Sequence, residues 1–168
     1  MKKIVLPSLF LFLIFACACE GEKGTLTTFI LIRHAEKGDD GTDDPDLKAE
    51  GEARAKRLAF MLKDTPLSAI YSTHFKRTIN TVKPISEIKN IDVQPYDAHK
   101  PEVIEKMVQQ HRGGTVLMSG HSNNIPWTAN LLLGENAYED YPETEYGILL
   151  IVTVADMGRV TGVTRLNY

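Results

Sequence analysis

Phe29-Ile30-Leu31-Ile32-Arg33-His34-Ala35-Glu36-Lys37 is the stretch on which the fold turns. Four apolar residues in a row, closed by charge, match a central strand buried on both faces, the habit of parallel sheets. The Arg33-His34 pair falls where the run stops, which in an open α/β sheet is the carboxyl edge where ligand crevices form. A second run, Thr115-Val116-Leu117-Met118, breaks in the same way at Ser119-Gly120-His121-Ser122-Asn123-Asn124. Gly120 permits a tight turn, and the polar residues after it can open a helix. Two strand ends thus each present one imidazole. Either histidine alone could be structural; the pair, with arginines nearby, points to a site.

Around these two strands the pattern alternates. A first strand is expected at about 27 to 33, then a helix from Leu47 to Leu62 with Ala53, Leu58, Ala59 and Leu62 as its apolar stripe. Ser68 to Tyr71 reads as a strand and Lys76 to Ile88 as a helix kinked by Pro84. Ile91 to Pro95 is a third strand, Pro101 to Gln110 a helix opened by proline, and Ile125 to Leu133 a helix stopped by Gly134. Gly147 to Val154 and Val160 to Arg165 are β-branched runs around Asp156-Met157-Gly158, a hairpin signal. The fold class is α/β: a three-layer α/β/α sandwich on a mainly parallel sheet with an antiparallel C-terminal edge. No glycine-rich phosphate loop is present.

The 168 residues, 43% hydrophobic and 24% charged, suit one globular body with a real core. A net charge of -3 argues against a general nucleic-acid binder, which needs a basic face. Met1-Lys2-Lys3 followed by the apolar Ile4 to Ala16 has the form of an export signal, too short to span a bilayer comfortably. Residues 1–19 are assigned to it, 20–26 to a polar tether and 27–168 to the folded domain. Both cysteines close the signal. Ile14-Phe15-Ala16-Cys17 resembles the lipobox of bacterial lipoproteins, with Cys19 as the alternative modified residue and ordinary signal cleavage as the other reading. The expected location is therefore outside the cytoplasm, periplasmic or at the cell surface, membrane-anchored through lipid. Removal of the segment takes the net charge to -5, and no cysteine then remains in the globular body for a disulfide framework or a thiol nucleophile.

A third piece completes the constellation. Tyr71-Ser72-Thr73-His74-Phe75-Lys76-Arg77-Thr78 follows the second strand, and Arg77 falls in the first turn of the next helix, able to point back to the crevice. Two arginines aimed at one spot repel unless an anion sits between them, and phosphate suits their forked donors. A surface ion pair is the plainer reading for Arg77 alone.

Arg33-His34-Ala35, Ser72 with Arg77-Thr78, and Gly120-His121-Ser122, in that order, resemble the histidine phosphatase superfamily, the phosphoglycerate mutase-like clan, over residues 27 to 154. The resemblance implies that His34 is the nucleophile, attacking phosphorus to form a phosphohistidine that water hydrolyses. It implies that Arg33, Arg77 and a protonated His121 hold the phosphoryl oxygens, with Ser122 and Asn123 as further substrate-binding residues and a backbone carbonyl fixing the His34 tautomer. Asp97, with Glu102 behind it, is the expected general acid, although the Glu-centred motif of the mutases is absent. Turn formation explains Asp97 equally.

No metal or other cofactor is required by this scheme, and a metal pair of His34 and His121 lacks supporting ligands. The acidic loop Gly38 to Asp46 reads as solvated, or as a site for a cation or a basic partner, and its charge disfavours polyphosphorylated substrates. His74, His99 and His111 read as loop or surface residues. The intervals of 43 residues from His34 to Arg77 and 44 from Arg77 to His121 leave no inserted lid, which favours hydrolysis over mutase action. The expected partners are a phosphorylated small molecule or phosphoprotein substrate and a membrane, with no nucleic acid. The competing reading is a non-catalytic phosphate-binding or protein-interaction lipoprotein of the same fold.

Overall fold

The computed structural model describes residues 25–168. The expected export segment, both cysteines and most of the expected tether lie outside them. In chain order the elements are β1 (Thr27–Arg33), α1 (Ala49–Leu62), β2 (Ala69–Ser72), α2 (Lys76–Lys89), β3 (Val93–Pro95), α3 (Pro101–Gln110), β4 (Thr115–Gly120), α4 (Asn124–Leu133), β5 (Ile148–Asp156) and β6 (Arg159–Asn167). One six-stranded sheet has the order β3-β2-β4-β1-β5-β6. The pairs β1/β4, β2/β4 and β2/β3 are parallel, and β5 runs antiparallel to both β1 and β6. The expected mainly parallel sheet with an antiparallel edge is what forms.

Side chains alternate across β1 as the period of two demands. Phe29 and Leu31 join Met118, Ile125 and Leu132 in a core under α3 and α4. Ile30 and Ile32 face the other way, onto Leu58, Val82 and Ile85 of α1 and α2. The helices therefore form layers on both sides of the sheet.

Local details differ from the sequence pattern at two places. The buried face of α1 is Gly51, Ala55, Leu58, Ala59 and Leu62, so Ala55 and not Ala53 completes the stripe. Two alanines two positions apart carry the same apolar signal, and only tertiary packing chooses between them. The second place is the end of α2, which runs through Pro84 as expected, with Thr81, Val82 and Ile85 buried around it, and passes the expected Ile88. It ends instead at Asn90, which adopts the left-handed conformation at φ 52°.

The acidic loop after β1 is closed by backbone contacts, Gly38 N–H donating to the Asp46 carbonyl at 2.7 Å. Asp44 Oδ1 accepts the first N–H of α2, from Lys76, at 2.9 Å. Part of that loop's acidity thus serves the positive end of a helix.

Gly51 lies where α1 crosses the end of β1, and a Cβ there would run into the Glu36 carbonyl oxygen and meet Glu36 N at 3.0 Å. Backbone cannot yield as a flexible side chain does. Gly51→Ala gains roughly 1 kcal/mol of helix propensity but should lose on the order of 2 kcal/mol net through this overpacking. Urea unfolding that shows the variant more stable than wild type would refute the close contact.

Candidate active site

The parallel register places Arg33 of β1 opposite Gly120 of β4, so both strands stop level with one another. The ladder continues one step further, His34 N–H donating to the Gly120 carbonyl at 2.8 Å. His34 and His121 consequently leave the sheet edge side by side, their ring centroids 5.5 Å apart and inclined at 67°. They line a hollow of about 520 Å³ together with Lys37, Phe75, Arg77, Ser122, Asn123 and Glu143.

His34 is buried, and its Nδ1–H donates to the Ala35 carbonyl at 2.7 Å. That bond fixes the tautomer and leaves Nε2 as the unprotonated nitrogen. Burial lowers the imidazole pKa to about 4, the Ala35 carbonyl opposes this, and the positive charges of Arg33 and Arg77 add to it. The ring is neutral at ordinary pH. The segment that carries it is tied to α2, because Ala35 N–H donates to Thr81 Oγ1 at 2.8 Å and that hydroxyl donates to the Arg77 carbonyl at 2.7 Å.

His121 differs from the protonated donor expected from sequence. Burial first, then the neighbouring His34 and Arg77, push its pKa down to about 3. Its Nε2 lies 2.9 Å from Thr73 Oγ1, which lies 2.9 Å from Thr78 Oγ1. The Thr78 hydroxyl has carbonyl acceptors at Phe75 (2.8 Å) and Thr73 (3.0 Å). With its proton spent there, Thr78 accepts from Thr73 and Thr73 accepts from His121 Nε2–H. The neutral ring then keeps Nδ1 as an acceptor, and it becomes a second donor only on protonation.

The two arginines are placed differently. Arg77, in the first turn of α2, lines the hollow with its guanidinium 4.3 Å from the Phe75 ring centre and its Nη1 3.7 Å from Asp44 Oδ1. Arg33 is wholly buried behind the hollow and gripped by the segment before β5. Its Nη1 donates to the carbonyls of Pro142 (2.7 Å) and Glu145 (2.8 Å). Its Nη2 donates to the Glu143 carbonyl (3.1 Å) and to Glu143 Oε2 (2.9 Å). Its Nε–H alone has no partner among the described residues. The Tyr146 ring covers the guanidinium at 4.5 Å.

The model of the histidine phosphatase superfamily (branch 1) matches residues 29–100, which include Arg33, His34 and Arg77. That segment, less than half of the chain, is similar to the histidine phosphatase superfamily. Among curated proteins, phosphoserine phosphatase 1 of Hydrogenobacter thermophilus is 40% identical over 74 residues, 40% of this chain and 35% of that protein. The match thus spans about a third of the relative's length. Among solved structures, the protein histidine phosphatase SixA complexed with tungstate superposes with a TM-score of 0.68 at 16% identity, over 83% of this chain and 96% of that one. Mycobacterial glucosyl-3-phosphoglycerate phosphatase gives 0.68 at 12% identity, over 85% and 98%. These two likenesses establish the fold.

Within this fold the sequence-predicted residues are not all in one place. His34, His121, Arg77, Ser122 and Asn123 share the hollow. Asp97 does not: it is exposed beyond β3 and ion-paired with Lys100 at 2.6 Å, in a side hollow that borders His121 and Asn123. The hydrogen bond from Lys100 holds its carboxyl below the usual carboxylate range, so it is ionised and has no proton to donate at neutral pH. Glu102 is exposed in the first turn of α3. Asn124 is structural, its Oδ1 accepting His121 N–H at 2.6 Å. His111 pairs with the Tyr71 hydroxyl at 2.9 Å.

Sequence reasoning missed Phe75, Lys37 and Glu143. Phe75 packs edge-on against the His121 ring at 4.9 Å and sits just before α2, so its nearness to Arg77 was the available signal. Lys37 lies three residues past His34. Glu143 had no signal, its contact with Arg33 spanning 110 residues of chain.

Because the folded His34 pKa of about 4 lies below the ordinary 6.5, the unfolded chain binds more protons between those values. Stability rises with pH through that window, is fully present above it and is lost as pH falls towards the folded value. The His34 share is about 3 kcal/mol at most. Urea unfolding of wild type and His34→Asn at the two ends of the window should show a shallower pH dependence in the variant. Equal slopes would mean that His34 is not held neutral by the fold.

Proposed function

We propose that this chain is a phosphatase that hydrolyses phosphomonoesters or phosphohistidine through a phosphohistidine formed on His34. The observation that carries the reading is the bond from His34 Nδ1–H to the Ala35 carbonyl, which leaves an unprotonated Nε2 in a hollow flanked by Arg77 and Lys37. The Nε2 lone pair forms a bond to phosphorus as the bond to the leaving group breaks. Water then attacks the phosphohistidine, the P–N bond breaks and inorganic phosphate departs. Such transfer depends on positioning and on preset positive charge. Arg77, Lys37 and Ser122 supply that charge and hydrogen bonding at the hollow, and Arg33 supplies it from behind.

A bound phosphoryl dianion favours the charged form of any imidazole it touches. His121 is then the group that takes up a proton on binding and becomes a donor to the phosphoryl oxygens. Glu143, the one acid lining the hollow among the described residues, is held below the ordinary carboxylate range first by the Ser122 hydroxyl and then by Arg33, so it brings no proton either. Leaving groups that need little protonation, aryloxides and nitrogen leaving groups, suit this arrangement best. The activities borne in the names of the similar proteins, a phosphoserine phosphatase and a protein histidine phosphatase, support the same class. The reading extends to an exported enzyme held at a membrane through lipid on Cys17 or Cys19.

His34→Ala should abolish both hydrolysis of 4-nitrophenyl phosphate and the alkali-stable phosphoenzyme. Arg77→Ala should cost about 3 kcal/mol of transition-state stabilisation, roughly a hundredfold in rate. Turnover at the wild-type rate in His34→Ala would overturn the nucleophile assignment. Calorimetric titration with tungstate, in buffers of different ionisation enthalpy at about pH 7.5, should report uptake of close to one proton by wild type. His121→Gln should take up none; an unchanged proton count in that variant would remove His121 from the role.

A further inference from the structure

Among the described residues Glu143 is the one acid lining the hollow that holds His34, and its carboxylate occupies donors that a phosphoryl group would use. Oε1 accepts from Ser122 Oγ at 2.7 Å and Oε2 accepts from Arg33 Nη2 at 2.9 Å. Two oxygens of one anion, each on a separate donor, is also how a phosphoryl group would sit there. The partners are unequal in mobility. Arg33 is fully buried and bound to three backbone carbonyls, whereas the Glu143 side chain is 70% exposed. The guanidinium is the fixed member and the carboxylate the replaceable one.

Displacement leaves a negative charge beside a newly bound dianion. Like charges at such range repel unless a cation lies between them. Lys37 is the one lysine of the hollow and has no carboxylate within ion-pair distance among the described residues, so it is available to the phosphoryl group. Lys37 acts on the Glu143 carboxylate from beyond ion-pair range, so what is missing is a directly paired positive group for Glu143 once it has yielded Arg33 and Ser122.

We propose that Glu143 sets substrate specificity by this exchange: the phosphoryl group takes its place on Ser122 and Arg33, and the released carboxylate binds a cationic group that the substrate carries a few bonds from phosphorus. The preferred substrates are zwitterionic, a phosphoryl group with an ammonium or similar cation close by. Phosphorylated compounds with a second anion in that position are rejected by the same carboxylate. The inference rests on the hollow being a phosphoryl site, as proposed above, and refines which phosphoryl compounds enter it.

The test uses three ligands of matched size: phosphoethanolamine with an ammonium, ethyl phosphate with a methyl, and phosphoglycolate with a carboxylate. Their dissociation constants are measured by calorimetry on the full chain. Wild type should bind phosphoethanolamine up to about fivefold more tightly than ethyl phosphate, and phosphoglycolate more weakly by a similar factor, as an exposed charge pair allows. High salt should compress that order. Glu143→Gln should bind all three within a factor of about two and hold inorganic phosphate more tightly than wild type does. Glu143→Asp, which keeps the charge, should retain the order. A flat order in wild type, or the same order in Glu143→Gln, overturns the proposal. His34-dependent turnover of 4-nitrophenyl phosphate, measured separately, shows whether the catalytic reading stands or falls on its own.

Discussion

The pairing of β1 with β4 is the constraint from which the site derives. Six consecutive residue pairs, Thr28 with Thr115 through Arg33 with Gly120, set the two strand ends level. Every pair lies inside the sheet, and the apolar members are buried on both faces, so a slip of one residue would turn each core side chain to the wrong layer. The register is therefore held by the hydrophobic core. The geometry of the hollow inherits it, and the two imidazoles meet edge-on as a consequence. Gly120 belongs to the same constraint: a Cβ on it would collide with Asn124 Oδ1 and come within 2.8 Å of the Tyr96 hydroxyl oxygen. That space lets Asn124 accept His121 N–H and fix the turn that aims the second imidazole.

The segment on the far side of His34 is equally constrained. Glu36 receives two guanidinium nitrogens of Arg54 from α1, and Arg54 also donates to the Tyr168 carbonyl. The Tyr168 hydroxyl reaches the Arg33 carbonyl at 3.3 Å inside the core. The strand end is thus tied to α1, α2 and the end of β6. Preset groups are worth more than mobile ones in phosphoryl transfer, because no reorganisation is needed as charge builds. The rigidity of a four-residue segment is here the product of side chains drawn from three other elements.

Local chemistry accounts for which parts were legible in the sequence. β1, β4 and α3 were readable because uninterrupted apolar runs and a proline at a helix start act within a few residues. His34, His121 and Arg77 were readable because strand ends and a helix first turn give them a direction. Asp97 was misjudged, since its proton affinity depends on Lys100 and on exposure, neither of which a spacing encodes. The helix expected across Pro84 forms, with Val82 and Ile85 buried on either side of the proline. Arg33 and Glu143 show the limit most clearly: the arginine announces itself beside His34, yet its partners arrive from residues 142 to 145, over 100 positions later.

The same burial that lowers both histidine pKa values explains how the hollow divides its labour. Arginine keeps its charge at any accessible pH, so Arg33 and Arg77 define a permanent positive field. Two imidazoles placed in that field, short of water, shed their protons, to about pH 4 for His34 and about pH 3 for His121. A neutral His34 is what a nucleophile requires. In the proposed reaction a neutral His121 is a donor in waiting, since an arriving dianion offsets the burial and the neighbouring positive charge that keep its second nitrogen unprotonated. His34 is buried and His121 half-buried, and the two rings differ also in what holds their second nitrogen. A carbonyl acceptor pins the His34 proton on Nδ1, whereas a chain of three hydroxyl and ring groups, Thr78, Thr73 and His121, places the other proton on Nε2. Opposite tautomers in one electrostatic environment are what the proposed reaction needs, the same residue type acting as nucleophile on one strand and as proton-dependent donor on the next.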